Sequence, residues 1–318
     1  MNRYARQIIL PEVNVQGQRR LATARVLVIG AGGLAAPALP LLAGAGVGHI
    51  MLVDGDTVSL SNLHRQTLFT EAGCGRPKAE IAAMRCTDIN SEIAVDTAVQ
   101  NLTPTNAPDL VQQADLVLDC ADSYAVSYIL SDLCLAKGKP LISAAVLGLS
   151  GYVGGFCGGA PSLRAVFPQA PDSGASCATA GVLGPVVGIM GAMQAQMALN
   201  VLLGFTPSPL GQLVNYDARS VATSGFRFDT APEPDIAFPF LAPSQLNADD
   251  LIVELRNKDE APIPIHTAAQ RLDPSQIAEI RAPRVALCCA TGLRAWRAAE
   301  TLQQTWPGEI VLVAAATS

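Results

Sequence analysis

Arg25, Val26, Leu27, Val28 and Ile29 form a short β-branched run that stops at Gly30-Ala31-Gly32-Gly33, and an Ala/Leu-rich stretch, residues 34–45, follows at once. A strand that turns through glycines into a helix presents backbone N–H groups and a helix N-terminus to whatever lies above the turn. Glycine lets a phosphate come close to that backbone. A second run, 49–53, ends in Asp54, 24 residues after Gly30, where a carboxylate can accept from a ribose hydroxyl. This strand, turn, helix and strand require a parallel pair of strands, because the crossover is too long for a hairpin. They select a nucleotide without choosing between NAD and ATP.

The alternation continues, with helices predicted at 77–88, 107–113 and 124–135 and strands at 93–99, 116–118 and 140–144. The predicted fold class is therefore α/β, a doubly wound, mostly parallel, Rossmann-like sheet with helices on both faces. From Gly148 the reading becomes Gly-rich strand, a loop at 158–176, an apolar helix at about 182–203, and a pair of strands before Phe228. Residues 229–243 hold four prolines and no period, so a linker is placed at 229–248 between a nucleotide-binding domain, 1–228, and a smaller α/β unit, 249–318. In the smaller unit, strands are predicted at 251–255, 285–288 and 309–313 and a helix at 293–303.

Composition removes several function classes. The net charge is −6 and no Lys/Arg block exceeds two residues, so no nucleic-acid partner is expected. The charge-free stretch 31–48 is broken by Pro37, Pro40 and five glycines, and 182–205 carries Gln194, Gln196 and Asn200; both read as buried helices, with no membrane association. Only Ile8-Ile9-Leu10 precedes Pro11 at the start, which gives no secretory core, and the expected compartment is the cytoplasm. The eight cysteines include no Cys-x-x-Cys pair. His49, His64 and His266 are dispersed and receive no catalytic role.

Downstream of the second strand, Asn62, Arg65, Gln66, Arg76 and Lys78 place three cations and two polar amides at one sheet edge. Hydride transfer has little use for them, whereas a site that splits a triphosphate must neutralise charge growing on a departing pyrophosphate. Asp119-Cys120-Ala121-Asp122 ends another strand, and a carboxylate there can hold the magnesium ion of a nucleotide triphosphate. The competing structural readings are a surface ion-pair network for the cations and a helix N-cap for Asp122.

Five collinear motifs carry a resemblance. Arg3-Tyr4-x-Arg6-Gln7, Gly30-x-Gly32-Gly33-Leu34, Asp54-x-Asp56-x-Val58-x-x-Ser61-Asn62-Leu63-x-Arg65-Gln66, Arg76-Pro77-Lys78 and Asp119-Cys120-x-Asp122 resemble the ThiF/MoeB/HesA family, relatives of the ubiquitin-activating enzymes, over about residues 1–228. The resemblance implies ATP-dependent adenylation of the C-terminal Gly-Gly carboxylate of a ubiquitin-like sulfur carrier of the ThiS or MoaD type. It implies that Gly30, Gly32 and Gly33 cradle the nucleotide, Asp54 binds ribose, and Asn62, Arg65 and Lys78 hold phosphates. It further implies that Asp122 acts on Mg2+, and that Arg6 reaches the partner subunit's site in a homodimer. Cys177 matches a ThiF-branch cysteine that can join the activated carrier, a context that favours thiamine over molybdopterin biosynthesis.

Three departures accompany the match. Ser162 and Ala165 stand where the family has the first of two zinc-binding Cys-x-x-Cys pairs, and no second pair follows, so zinc is predicted absent. Ala35 replaces the third glycine, and Ser123 replaces a common Asn. The C-terminal unit resembles a short rhodanese domain through the loop Cys289-Ala290-Thr291-Gly292-Leu293-Arg294, with Ala290 where an Arg is common. Cys289 is the implied sulfur-carrying residue and Cys288 a core residue. The alternatives left open are an NAD-dependent oxidoreductase and a catalytically silent scaffold for a ubiquitin-like partner.

Overall fold

The computed structural model describes residues 3–169, 181–272 and 282–317. Its larger sheet has the order β3-β2-β1-β4-β5-β6-β7-β8. The strands are β1 (Arg25–Ile29), β2 (His49–Val53), β3 (Ala94–Ala98), β4 (Leu116–Asp119), β5 (Pro140–Leu147), β6 (Ser150–Cys157), β7 (Gln212–Asp217) and β8 (Ala222–Arg227). From β3 through β5 every pairing is parallel; β5 to β8 form an antiparallel meander. The expected doubly wound sheet is present, with its order reversing between β1 and β4.

The helices are α1 (Ala5–Ile8), α2 (Asn14–Thr23), α3 (Ala35–Ala45), α4 (Lys78–Ile89), α5 (Ala107–Gln112), α6 (Tyr124–Lys137), α7 (Leu163–Val166), α8 (Gly184–Leu203) and α9 (Leu293–Gln303). In β1, Val26 and Val28 face α3, α4 and α8, while Leu27 and Ile29 face α5 and α6. That alternation in a strand buried on both sides explains its continuous apolar sequence. The helix α8 is long and apolar enough to cross a membrane, but half of it is buried in the protein. At its centre the buried Gln194 donates from Nε2 to the carbonyl of Asp119 at 2.7 Å. The two N-terminal helices and α7, within the expected loop 158–176, have no counterpart in the sequence reading.

A second sheet, of order β11-β10-β9, holds β9 (Leu251–Glu254), β10 (Arg284–Cys289) and β11 (Glu309–Ala314), all parallel. One of its faces joins the core shared by α5, α6 and α9. The segment expected to be a linker is laid down in this core. Phe240 bridges to Leu312, with Leu241 N donating to Leu312 O at 2.8 Å and Leu312 N to Pro239 O at 2.9 Å. Pro239 takes part through its carbonyl alone, so its missing N–H costs nothing. Farther back, Glu233 accepts from Ser162, the N-cap of α7, through both the backbone N–H at 2.7 Å and the hydroxyl at 2.5 Å. Arg164 pairs with Asp132 at 2.6 Å and donates to Phe238 O at 3.1 Å. Polar pairing of the 229–248 segment thus runs through the position where the family resemblance leads one to look for a metal ligand.

Candidate active site

The carboxyl ends of β1, β2 and β4 meet where the strand order reverses, the place where open α/β sheets bind ligands. Gly30 turns there with φ +91°, and its N–H donates to Val53 O at 2.8 Å. A Cβ at this position would lie 2.8 Å from Cys120 O, so no other residue fits without displacing the β4 loop. Gly33 is bare for a different reason: its Cβ would strike Val187 of α8 at 2.7 Å. Gly32 alone opens onto the crevice, where the atom nearest its absent side chain is Gln66 Nε2 at 3.7 Å.

Asp54 holds this turn. Its Oδ2 accepts from Ala31 N at 2.7 Å and its Oδ1 from Asp56 N at 2.8 Å. Burial raises its carboxyl above the usual range, against the two backbone bonds and Lys78, which lower it. Each oxygen keeps a lone pair, so the ribose role implied for Asp54 is compatible with its structural one.

Lys78 opens α4 and is 5% exposed; its Nζ lies 2.8 Å from Asp56 Oδ2, and its N–H donates to Asp56 O. Asp56, which the sequence reading left without a role, is 72% exposed at its side chain, so the lysine's counter-charge sits on the solvent side of the crevice. Arg65 packs its stem beside Gly33 and makes a long 3.4 Å bond to Ser61 O. Asn62 ends the 3-10 turn Leu60–Asn62, and its carbonyl receives Arg65 N and Gln66 N. Arg76 departs from the cluster: it is exposed and reaches Met84 Sδ along α4.

Gln66 is 4% exposed and its Oε1 has no hydrogen-bond partner among the described residues. A buried acceptor left unmade costs about 1–3 kcal/mol. A bound hydroxyl, amine or water would supply the missing donor, so the residues present fit a nucleotide above Gly32. The signal for Gln66 in the sequence was the polar amide itself; its burial was not readable there.

The two acids after β4 separate sharply. Asp122 is exposed in the loop before α6. Asp119 is fully buried and its carboxyl is pushed up to about 6, mainly by burial, against hydrogen bonds from Ser127, Ser143 and Ala121 N. A hard oxygen donor at the mouth of the site suits Mg2+, and among the described residues no group of three His, Cys, Asp or Glu forms a resident metal site.

The raised carboxyl has a pH signature. The folded protein holds the Asp119 proton up to about pH 6, whereas the unfolded chain releases it near 4. Its contribution to stability therefore declines as pH rises from about 4 to 6 and is level above, by about 3 kcal/mol in total. Denaturant unfolding of the wild type and Asp119→Asn at pH 4.5 and 7.5 will show the variant gaining relative to wild type as pH rises. A pH-independent difference would refute the assignment.

Arg6 does not reach this crevice. Its neighbour Gln7 donates to Ala45 O at the far end of α3, an 11-residue helix about 16 Å long whose other end meets the glycine turn. Cys177 lies outside the described residues. Cys289, 2% exposed, receives Gly292 N at 3.1 Å and Ala295 N at 3.4 Å on its sulfur, at the start of α9. Two backbone donors stabilise an anionic sulfur. Cys288 points to the opposite face of the small sheet, and burial drives its thiol far up.

The sequence profile of the ThiF family matches residues 4–236. "Adenylyltransferase and sulfurtransferase MOCS3" of Sus scrofa is 45% identical over 219 residues, covering 68% of this chain and 48% of the relative. "Adenylyltransferase and sulfurtransferase uba4" of Emericella nidulans is 46% identical over 211 residues, 63% of this chain and 44% of the relative. The chain spans about half the length of the curated relatives it matches. Among solved structures, Escherichia coli MccB with ATP aligns with a TM-score of 0.64 and 22% identity over 73% of each chain, which shows a shared fold.

Proposed function

Because this chain belongs to the ThiF family, we propose that it uses ATP to adenylate the C-terminal Gly-Gly carboxylate of a ubiquitin-like sulfur carrier of the ThiS or MoaD type, for thiamine or molybdopterin biosynthesis. The carboxylate oxygen attacks the α-phosphorus; an O–P bond forms, the bond to the β-phosphate oxygen breaks, and pyrophosphate leaves. The nucleophile is already ionised, so no general base is required, and catalysis consists of alignment and charge stabilisation. Asn62, Arg65 and Lys78 hold the phosphates and Gly30, Gly32 and Gly33 shape the cradle. Asp122 holds the Mg2+ that offsets charge on the pyrophosphate.

The observation that carries this reading is Lys78, an ammonium buried at the nucleotide crevice whose counter-ion faces solvent. An oxidoreductase has no comparable use for it. In a homodimer, Arg6 from one protomer would complete the other's site, which its exposure at the far end of α3 favours. A cytoplasmic, reducing location agrees with the seven unpaired cysteines among the described residues. Cys289 would carry sulfur, its anion held by Gly292 N and Ala295 N, and its burial requires the loop to open for exchange. Cys177 would join the activated carrier covalently.

Exchange of labelled pyrophosphate into ATP is expected only when a carrier ending in Gly-Gly is added, and it is expected to collapse in Arg65→Ala and Asp122→Ala. Exchange that persists in both variants removes the assignment of this site.

A further inference from the structure

The small sheet carries a cavity of about 600 Å³ outside the residues matched by the family. Its wall begins where β9 ends, at Glu254, and is completed by the outer face of α9. This is the carboxyl edge of a parallel sheet, the same edge on which β10 presents Cys289. Its size is that of a small-ligand site.

Among the described lining residues, five are cations, namely Arg256, Lys258, Arg271, Arg294 and Arg297, and one, Glu254, is a carboxylate. That concentration stands out in a chain of net charge −6. Arg256 is occupied by Glu254 at 2.7 Å, and Arg294 by Glu260 at 2.9 Å. Among the described residues neither Lys258 nor Arg271 has a carboxylate partner. Arg271 is half-buried and fixed by carbonyls, Nε to Arg256 O at 2.9 Å and Nη2 to Ala261 O. Among the described residues this partly desolvated, rigidly held guanidinium meets no counter-charge, which leaves it an incomplete ion pair. Its planar fork matches a tetrahedral oxyanion.

We propose that this cavity binds a small inorganic oxyanion carrying several charges, of the polyphosphate type, with Arg271 and Lys258 as its principal contacts. A nucleotide is a poorer occupant, because no aromatic side chain among the described residues lines the wall to stack a base. The cations already neutralised by Glu254 and Glu260 shape the cavity and fix the loop after β9.

The test is calorimetric titration of the full chain with inorganic tripolyphosphate while a non-hydrolysable ATP analogue saturates the nucleotide crevice. Binding is expected to persist, to weaken as salt is raised, and to fall at least tenfold in Arg271→Met. Because Arg271 also supports two carbonyls, Lys258→Gln is the second probe. Lys258 is exposed, and its loss should weaken binding at least threefold while leaving carrier-dependent exchange unchanged. Abolition of the titration by the analogue, or equal affinity in wild type and Lys258→Gln, overturns the proposal.

Discussion

Lys78→Met is expected to lower carrier-dependent pyrophosphate exchange by about 10³-fold, the scale on which one preorganised donor to developing charge acts, or about 4 kcal/mol. Three features of its setting make the loss specific to chemistry. The lysine stem is buried at the first turn of α4, and methionine preserves that packing. The carboxylate left behind, Asp56, is largely exposed and stays hydrated, so the broken ion pair costs little stability. In the wild type, Nζ has three donors and commits one to Asp56 Oδ2, leaving others to turn toward an incoming phosphate. A companion, Asp56→Asn, keeps a side chain that accepts from Lys78 but removes the competing negative charge, and should retain exchange. A melting temperature in Lys78→Met within about 3 °C of wild type would accompany the loss. Retained exchange with intact folding would show that this ammonium does not meet the phosphates.

The parts of this site that could be read from the chain are those fixed by local order. The run Arg25–Ile29, the glycines and Asp54 follow one another closely, and their periodicity dictates a strand, a turn and a crossover helix. What could not be read depends on partners distant in sequence or on depth. Asp119 and Asp122 are two acids in one motif; only their placement shows that Asp119 is buried against Ser143 and Asp122 is not. The sequence names Gln66 and Gln194 as polar amides without giving their depth or partners; both are buried, one facing the crevice and one tying α8 to the end of β4. The four prolines of 229–243 suggested a spacer because proline breaks ladders, but the ladder here draws on Pro239 only as an acceptor. The short helix α1 offers four residues of pattern, too few for a period to register.

The contact that sets the two sheets against each other is Trp296, and Trp296→Ala is expected to cost about 4 kcal/mol of folding stability. Its ring, 1% exposed on α9, lies 4.7 Å from Tyr128 and 5.3 Å from Tyr124, both on α6, with Arg164 stacked over it at 4.9 Å. Phe238 and Phe240 from the Pro-rich segment close the cluster, and Nε1 donates to Glu300 at 2.9 Å. Removing the indole empties a space bounded by both sheets' helices, and Arg164 keeps Asp132 and the Tyr128 ring but loses the indole face. Collapse is hindered because the surrounding residues belong to elements already held by their own ladders, so most of the cavity remains. Trp296→Phe fills much of that volume without the Glu300 bond and should recover more than half of the loss. The same ring stands between the Asp122 loop, through Tyr124, and the Cys289 loop, whose Gly292 carbonyl accepts Trp296 N. Loosening it should therefore raise the rate at which Cys289 reacts with an alkylating reagent in Trp296→Ala while Trp296→Phe stays near wild type. Denaturant unfolding that places Trp296→Ala within 1 kcal/mol of wild type would mean the sheets are held by something other than this cluster.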